Sequence, residues 1–416
     1  MRTPLVLLLA LAAPSVAPAQ GKVWIVDDAG GAGVDFTAIA QAVQAAVDGD
    51  VVLVRGGAYG GFVVDGKSVA VVADAGANVI VESPVVVRNL AIQQAVELRG
   101  LSLLDFPSFP PTLSLRDSAG RIWVEDCTID VLAMSFAPLG GAVDVVQCAD
   151  VAFHRCTIRG GDAGFGGTGS DGVRLEGSRA LLFLSTVEGG ASPGLSVIAT
   201  WPGGDGVRVD GGSAFLYACP VTGGRGRSGT SDGINCWPGM PGGAGLFAAA
   251  GTSFTHVATS FVGGPGGAGA AGAFGVCPDG ADGLPLAVAP GASELALAGA
   301  AHSFSFDSPV REGQTATGSI QAAPPGALAF LLVSFDAFYV ELPALLGASV
   351  VSPIGLALLP LGSTDASGAL PLAFAMPNLA AGNDVVRAFA QSLVVDAATG
   401  LALGPGSTLH VLDSAF

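Results

Sequence analysis

Short, mainly apolar sequence segments, which we call lines, recur along the middle of the chain. VELRGLSLL from Val96 is echoed by IWVEDCTID from Ile122, VAFHRCTIRGG from Val151, ALLFLSTVEGG from Ala180 and AFLYACPVTGG from Ala214. Corresponding positions 101, 127, 156, 185 and 219 are separated by 26, 29, 29 and 34 residues. Such a period, with several short strands in each repeat, is typical of a solenoid. The pattern therefore predicts one β coil per repeat, with stacking to bury the inward side chains.

A second line precedes the first in three repeats. It reads SDGVRLEGSRA from Ser170, GDGVRVDGGSA from Gly204 and SDGINCWPG from Ser231. Because side chains alternate along a strand, Val173 and Arg174 point to opposite faces. Stacking of the three lines predicts one outward row of Asp171, Asp205 and Asp232, and a second row that contains Arg174 and Arg208.

The segment before the repeats predicts a short helix and then strands. Residues 35–64 read DFTAIAQAVQAAVDGDVVLVRGGAYGGFVV, with apolar residues at helical spacing after Asp35, which can cap the helix. The segment resembles the entry segment of the pectin-lyase-like, right-handed parallel β-helix superfamily. That resemblance implies a right-handed parallel β-helix over residues 23–290, with an N-terminal capping helix on its first edge.

The repeat stops near residue 290. From residue 301 to 416, apolar runs alternate with turn residues at a spacing of about ten, which predicts a small antiparallel β-sandwich. This segment resembles C-terminal β domains of secreted proteins from environmental bacteria. A retention or sorting signal is the alternative role. The whole chain is thus expected to be all-β.

Residues 1–19 have the pattern of a secretory signal peptide. An apolar run from Leu5 to Ala13 is followed by Ala17-Pro18-Ala19, an A-x-A site that predicts cleavage near Ala19. The run is about half the length that a membrane-spanning helix needs. We therefore expect a secreted or cell-surface protein without a transmembrane helix.

The composition is acidic and poor in lysine. The formal net charge is −17, and Lys22 and Lys67 are the two lysines. A negative surface repels phosphate backbones, so nucleic acid is not expected as a partner. We expect a monomer.

Six cysteines in an exported chain can form disulfide bonds. Cys236 and Cys277 both lie in Gly-rich inserts beside a proline, and we predict a bond between them. Cys127 and Cys156 are a second predicted pair. Zinc-site spacing is absent from the sequence, so no metal-binding motif is assigned.

Two further features have simple interpretations. Residues 61–68 match the P-loop spelling, but a β-branched strand follows where phosphate binding needs a helix.

His154 must point away from its neighbour Phe153, and we expect a solvent-facing side chain.

In the superfamily that the chain resembles, polysaccharides lie along one parallel sheet, and acidic residues there hold Ca²⁺ or act as acid and base. The resemblance therefore implies a polysaccharide or Ca²⁺ site at one set of residues: Asp171, Arg174, Asp205, Arg208 and Asp232. Turn chemistry at Asp-Gly is the alternative explanation of the Asp row.

Catalytic motifs of the superfamily are not found in this sequence. A non-catalytic structural or polysaccharide-binding protein is the first hypothesis. The alternative is a divergent polysaccharide lyase or glycoside hydrolase that uses the Asp and Arg rows.

Overall fold

The computed structural model describes residues 21–82, 84–105, 111–131, 140–163, 167–192, 202–398 and 400–416. The expected signal peptide lies outside the described residues. The described chain is all-β apart from one short helix and one 3₁₀ turn.

The described residues of the first part of the chain contain one helix and twenty-four strands. In chain order they are β1 (Val23–Val26), α1 (Ile39–Ala45), β2 (Asp50–Val54), β3 (Gly57–Tyr59), β4 (Val63–Asp65), β5 (Val69–Ala73), β6 (Val79–Val81), β7 (Val85–Arg88), β8 (Ala95–Arg99), β9 (Leu101–Asp105), β10 (Leu113–Glu125), β11 (Thr128–Val131), β12 (Gly141–His154), β13 (Thr157–Arg159), β14 (Asp171–Phe183), β15 (Thr186–Glu188), β16 (Val207–Tyr217), β17 (Pro220–Thr222), β18 (Leu246–Ala248), β19 (Ser253–Val257), β20 (Ser260–Val262), β21 (Ala271–Gly272), β22 (Gly275–Val276), β23 (Leu286–Val288) and β24 (Ser293–Leu297).

The second part, as far as it is described, contains ten strands and a 3₁₀ turn at Pro343–Leu345. The strands are β25 (Ser303–Phe306), β26 (Val310–Arg311), β27 (Thr315–Gln321), β28 (Leu328–Ser334), β29 (Ala337–Leu342), β30 (Gly347–Val351), β31 (Ala357–Ser363), β32 (Leu370–Ala375), β33 (Val385–Asp396) and β34 (Gly400–Leu412).

Two parallel sheets form a coil stack in the first part. A fourteen-stranded sheet runs in the order β1-β2-β5-β8-β10-β12-β14-β16-β18-β23, with β4, β7, β19 and β24 beside this path. An eight-stranded sheet contains β3, β6, β9, β11, β13, β15, β17 and β20. The chain alternates between the two sheets, and each strand pairs in parallel with its counterpart one repeat later. This topology is compatible with a parallel β-helix.

The repeats stack in the predicted register. Cys127, Cys156, Ser185 and Cys219 occupy equivalent places, each directly after a residue with a φ of 51° to 55°. The N–H of Cys156 donates a 3.1 Å hydrogen bond to Oγ of Ser185 in the next coil. One left-handed residue per coil thus turns the chain from the larger sheet to the smaller one.

The helix is shorter than expected, and Asp35 does not cap it. Helix α1 has seven residues, and its N-cap, Ala38, makes no side-chain hydrogen bond. Oδ2 of Asp35 instead accepts a 2.9 Å hydrogen bond from the N–H of Ile25 in β1. Lys67, from the P-loop spelling, donates to carbonyls near the end of α1, including that of Ala46 at 2.8 Å. Its positive charge therefore complements a helix C-terminus.

Glycine-rich inserts between the sheets form hydrogen-bonded arms. The amides of Gly223, Gly226 and Gly229 donate to carbonyls of the next repeat, so one bond forms at every third residue. That period is typical of an extended helix with three residues per turn. Outgoing and returning segments are also bonded to each other, as in the 2.8 Å bond from Gly243 N to Gly224 O. We call these segments the glycine arms: residues 160–163, 189–192, 223–230 and 263–270 run outward, and residues 167–170, 202–206, 237–245 and 278–285 return.

The second part of the chain forms small, mainly antiparallel sheets. One has the order β25-β27-β32, a second β26-β34-β33-β28-β31, and β29 pairs with β30. Phe304 and Ile320 of the three-stranded sheet share a buried cluster with Leu331 and Val394 of the five-stranded sheet.

This second part covers an outer face of the coil stack. Trp123 of β10, together with Phe215 and Tyr217 of β16, projects into a buried cluster with Tyr339 and Phe389. Contacts extend from the first strand onward, since the N–H of Val23 donates a 3.2 Å hydrogen bond to Oδ2 of Asp384. The C-terminal strands therefore brace many coils at once.

Candidate binding groove

The candidate groove lies where returning glycine arms enter the larger sheet. Val173 pairs with Val207, and Val207 pairs with Leu246, so three successive coils are in register there. Two positions earlier on each coil are Asp171, Asp205 and Ala244.

The two aspartates form a hydrogen-bonded ladder between coils. Oδ1 of Asp171 accepts a 2.8 Å hydrogen bond from the N–H of Asp205. Oδ1 of Asp205 in turn accepts a 2.8 Å bond from the N–H of Ala244. One oxygen of each carboxylate thus satisfies a backbone donor of the next coil, so half of each group has a structural role between coils.

The second row brings two arginines side by side. Arg174 and Arg208 are cross-strand partners. Arg208 Nε donates a 2.8 Å hydrogen bond to Oδ2 of Asp210, and its Nη1 lies 3.2 Å from Oδ2 of Asp205. The Arg174 Nε atom lies 3.3 Å from Oδ2 of the same Asp210. The charges in this row are therefore paired within the protein, while each arginine keeps about a third of its side chain exposed.

These side chains line one cavity of about 430 Å³. One wall consists of the returning arms, including Gly203 and Gly243, and the other contains the Asp and Arg rows. Phe247 also lines the cavity, and its ring lies 4.2 Å from the guanidinium of Arg208. The groove thus combines backbone, guanidinium, carboxylate and one aromatic face.

Burial changes the acid chemistry of the groove. It raises the pKa of Asp171 to about 7, and the neighbouring charge of Asp205 acts in the same direction. Burial also raises the pKa of Asp205. Near neutral pH, Asp171 is therefore divided between its protonated and ionised forms.

Asp232 does not belong to this row, which corrects the sequence prediction. It lies in a loop at the end of a glycine arm, and its Oδ1 accepts hydrogen bonds from Ile234 N at 2.9 Å and Asn235 N at 2.6 Å. Ala244 occupies the expected place in the row. The Ser-Asp-Gly motif recurs in both places, but Asp171 begins strand β14 whereas the longer insert places Asp232 in a loop away from the strand.

His154 is buried, which corrects the expectation of a solvent-facing side chain. It does point away from the coil interior, but the C-terminal sheets cover that face. Its Nδ1 lies 3.0 Å from Oε1 of Glu125. The sequence prediction missed this burial because Ser407 and Thr408, which contact the same Glu125, come from a distant part of the chain.

Glu125 is the centre of a buried polar network. It accepts hydrogen bonds from Arg99 Nη1 at 2.7 Å, Ser407 Oγ at 2.6 Å and Thr408 N at 3.0 Å. Burial alone would raise the pKa of Glu125, yet Arg99, His154 and Arg155 hold it well below its usual value. A cavity of about 450 Å³ adjoins this network, but Arg99 and Arg155 beside it are already paired with Glu125 and Asp126.

Of the two predicted disulfide bonds, one is present in the structure. Cys236 and Cys277 form a disulfide with Cα atoms 5.8 Å apart. Cys127 and Cys156 are free, buried thiols, so the second predicted bond is absent. Their Sγ atoms lie within the coil core and contact backbone carbonyls, such as that of Val124 at 3.4 Å from Cys156. They pack as small apolar side chains.

The chain matches no protein-family model and no curated protein. Over the described ranges, no helix has the length and apolar character needed to cross a bilayer. The same ranges contain no group of three or more His, Cys, Asp or Glu side chains placed to hold a metal ion.

Proposed function

We propose that this chain is an exported, right-handed parallel β-helix that binds an extracellular polysaccharide in the groove and does not catalyse its cleavage. The observation that carries the proposal is the in-register pair of Arg174 and Arg208 beside Asp171 and Asp205, in one cavity. Sugars are held by carboxylate and guanidinium hydrogen bonds. Because adjacent strands lie about 4.8 Å apart, an extended polymer would meet like side chains on successive coils.

The proposed architecture rests on general rules of chain topology. Parallel strands joined by crossovers in one sheet are right-handed in nearly all proteins, and that rule supports the handedness. The core shared by the two C-terminal sheets supports a β-sandwich there. The Cys236–Cys277 bond supports export to an oxidising compartment, at the cell surface or beyond it.

A catalytic role is the second candidate, and Asp171 favours it. A carboxyl with a pKa of about 7 suits general acid–base work near neutral pH. Arg208 and Asp205 are the neighbouring charges that would act on a bound sugar. In this alternative the protein is a polysaccharide lyase or glycoside hydrolase.

A glycan array screened with the full-length mature protein tests binding, with and without added Ca²⁺. Replacing Arg208 by alanine removes a guanidinium that is one-third exposed. Any glycan that binds in the array should therefore bind about tenfold more weakly, because a hydrogen bond to a charged group is lost. The matched control is Arg159→Ala, which removes a cross-coil arginine paired with Glu188 on the smaller sheet.

The outcomes separate the candidates. Equal loss in both variants, or a screen without any bound glycan, contradicts the groove proposal. New reducing ends or unsaturated products from a bound glycan, abolished by Asp171→Asn, establish the catalytic alternative.

A further inference from the structure

The last two glycine inserts end in adjoining tips. One tip is the loop of residues 231–236, and the other is the hairpin formed by β21 and β22. The disulfide between Cys236 and Cys277 joins them, and the N–H of Ala273 donates a 3.2 Å hydrogen bond to the carbonyl of Ile234. We call this joined surface the tip surface, comprising residues 231–236 and 271–277.

Three large apolar side chains stand out from the tip surface. Phe274 is 90% exposed, Val276 is 75% exposed and Ile234 is 61% exposed. The core valines of the coil stack, such as Val64, Val173 and Val207, are by contrast fully buried. Apolar side chains grouped on an exposed, ordered surface mark an interaction site, since exposure to water has a free-energy cost.

The tip surface is ordered before any partner arrives. Asp232 caps its own loop through the amides of Ile234 and Asn235, and Ser231 Oγ donates a 2.9 Å bond to the carbonyl of Asn235. The N–H of Cys277 donates a 2.8 Å bond to the carbonyl of Ala270. A partner would therefore pay little entropy for ordering this surface.

The charges beside the apolar group have one sign. Residues 230–237 and 269–279 contain Asp232 and Asp279 and no lysine, arginine or histidine. Backbone hydrogen bonds from Asn235 and Ile234 lower the pKa of Asp232, which keeps it ionised. A bilayer with anionic lipids would be repelled by these carboxylates and by the net charge of −17.

We propose that the tip surface is a docking site for a polypeptide whose apolar side chains are flanked by lysine or arginine. Charge complementarity selects this partner, and the carboxylates at the rim set the orientation. Three apolar side chains are fewer than a stable protein interface needs, so the contact is weak and reversible. The proposal is independent of polysaccharide binding in the groove.

The test uses the full-length mature protein and a labelled synthetic peptide of alternating leucine and lysine, measured by fluorescence anisotropy. Phe274→Ser combined with Val276→Ser should weaken binding at least about tenfold, because these side chains provide most of the apolar contact. Ile354→Ser is the matched control, since Ile354 is 84% exposed in the C-terminal part. That control should bind the peptide as the unchanged protein does.

A peptide of alternating leucine and glutamate, and vesicles of zwitterionic lipid, serve as competing probes. Weaker binding of the glutamate peptide and no vesicle binding are expected. Equal peptide binding by the tip and control variants, no peptide binding by the unchanged protein, or vesicle binding lost in the tip variant would each overturn the proposal.

Discussion

The backbone N–H of Thr408 donates a 3.0 Å hydrogen bond to Oε2 of Glu125, across 283 positions of sequence. Glu125 lies in β10 of the coil stack, and Thr408 lies in β34 of the C-terminal sheets. The two parts of the chain therefore meet through a buried carboxylate as well as through aromatic packing.

Replacing Glu125 by alanine should destabilise the protein by about 3–5 kcal/mol, because Arg99 would lose its fully buried counter-charge and keep only the partly exposed Asp126. Ser407 and Thr408 would lose an acceptor in the same place. Chemical denaturation followed by circular dichroism measures the change. Glu188→Ala is the control, since its ion pair with Arg159 is exposed and should contribute less than about 1 kcal/mol. Similar losses for both variants would contradict a special role for Glu125.

Removing residues 301–416 should produce an aggregation-prone protein. The deletion exposes Trp123, Phe183, Phe215 and Tyr217, which the C-terminal sheets now cover. Increased fluorescence of a dye that binds apolar surfaces, together with light scattering, measures the effect. A truncated protein that stays monomeric and binds no dye would instead support a separable retention or sorting segment.

The four free cysteines should not react with a thiol reagent in the native protein. Burial raises the pKa of Cys127 and Cys219 to about 12 and that of Cys148 to about 11, and it raises the pKa of Cys156 well above its ordinary value. The thiolate is the reactive form, so both protonation and access protect these groups. Denaturant without reductant should release four reactive thiols, as Cys236 and Cys277 remain bonded. Fewer than four would indicate a further disulfide.

Gly243→Ala should destabilise the arms by at least roughly 2 kcal/mol, because overpacking forces the backbone to move. A Cβ atom there would lie 1.9 Å from the carbonyl oxygen of Gly204. Gly60→Ala is the matched control, since its Cβ would meet nothing within 4 Å and its φ is not positive. Thermal unfolding of the two variants measures the difference. A stable Gly243→Ala protein would mean that the arms tolerate wider spacing.

Acid should destabilise the protein through His302. Burial lowers the pKa of this histidine to about 4, from an unfolded value of about 6.5. Its contribution is present above the unfolded pKa and is lost as the pH falls toward 4, because the unfolded chain binds the proton first. His302→Gln should flatten this part of the curve of melting temperature against pH.

Ionisation of Asp171 changes the stability of the protein in the opposite direction over the same pH interval. Its raised pKa means that its contribution is present below the unfolded pKa and is lost as the pH rises through about 7. The difference between the unchanged protein and His302→Gln therefore isolates the histidine. A difference that does not vary with pH would contradict the buried, neutral state.

The coil register could be predicted from the sequence because successive repeats share the same pattern of core residues. The pairing of Val173 with Val207 and the equivalent places of Cys127 and Cys156 follow directly from the echoed lines, whereas the positive φ of Asp126 and Arg155 could not be predicted from them. The sequence prediction placed Asp232 in the row with Asp171 and Asp205, because a three-residue Ser-Asp-Gly motif carries no information about the length of the insert that contains it. The burial of His154 depends on distant strands, so no local pattern contains it. The glycine arms did leave a signal, namely glycines at every third position of the inserts.

Repeat proteins commonly gain or lose units during evolution, since each unit contacts only its neighbours. The C-terminal strands remove that freedom here. Residues next to these strands contact the first coil through Asp384 and Val23, and a much later coil through the 2.9 Å bond from His302 N to Tyr217 Oη. A duplicated or deleted coil between these two points would shift one contact relative to the other by a whole strand spacing. The number of coils between Val23 and Tyr217 is therefore fixed by the dimensions of the C-terminal sheets.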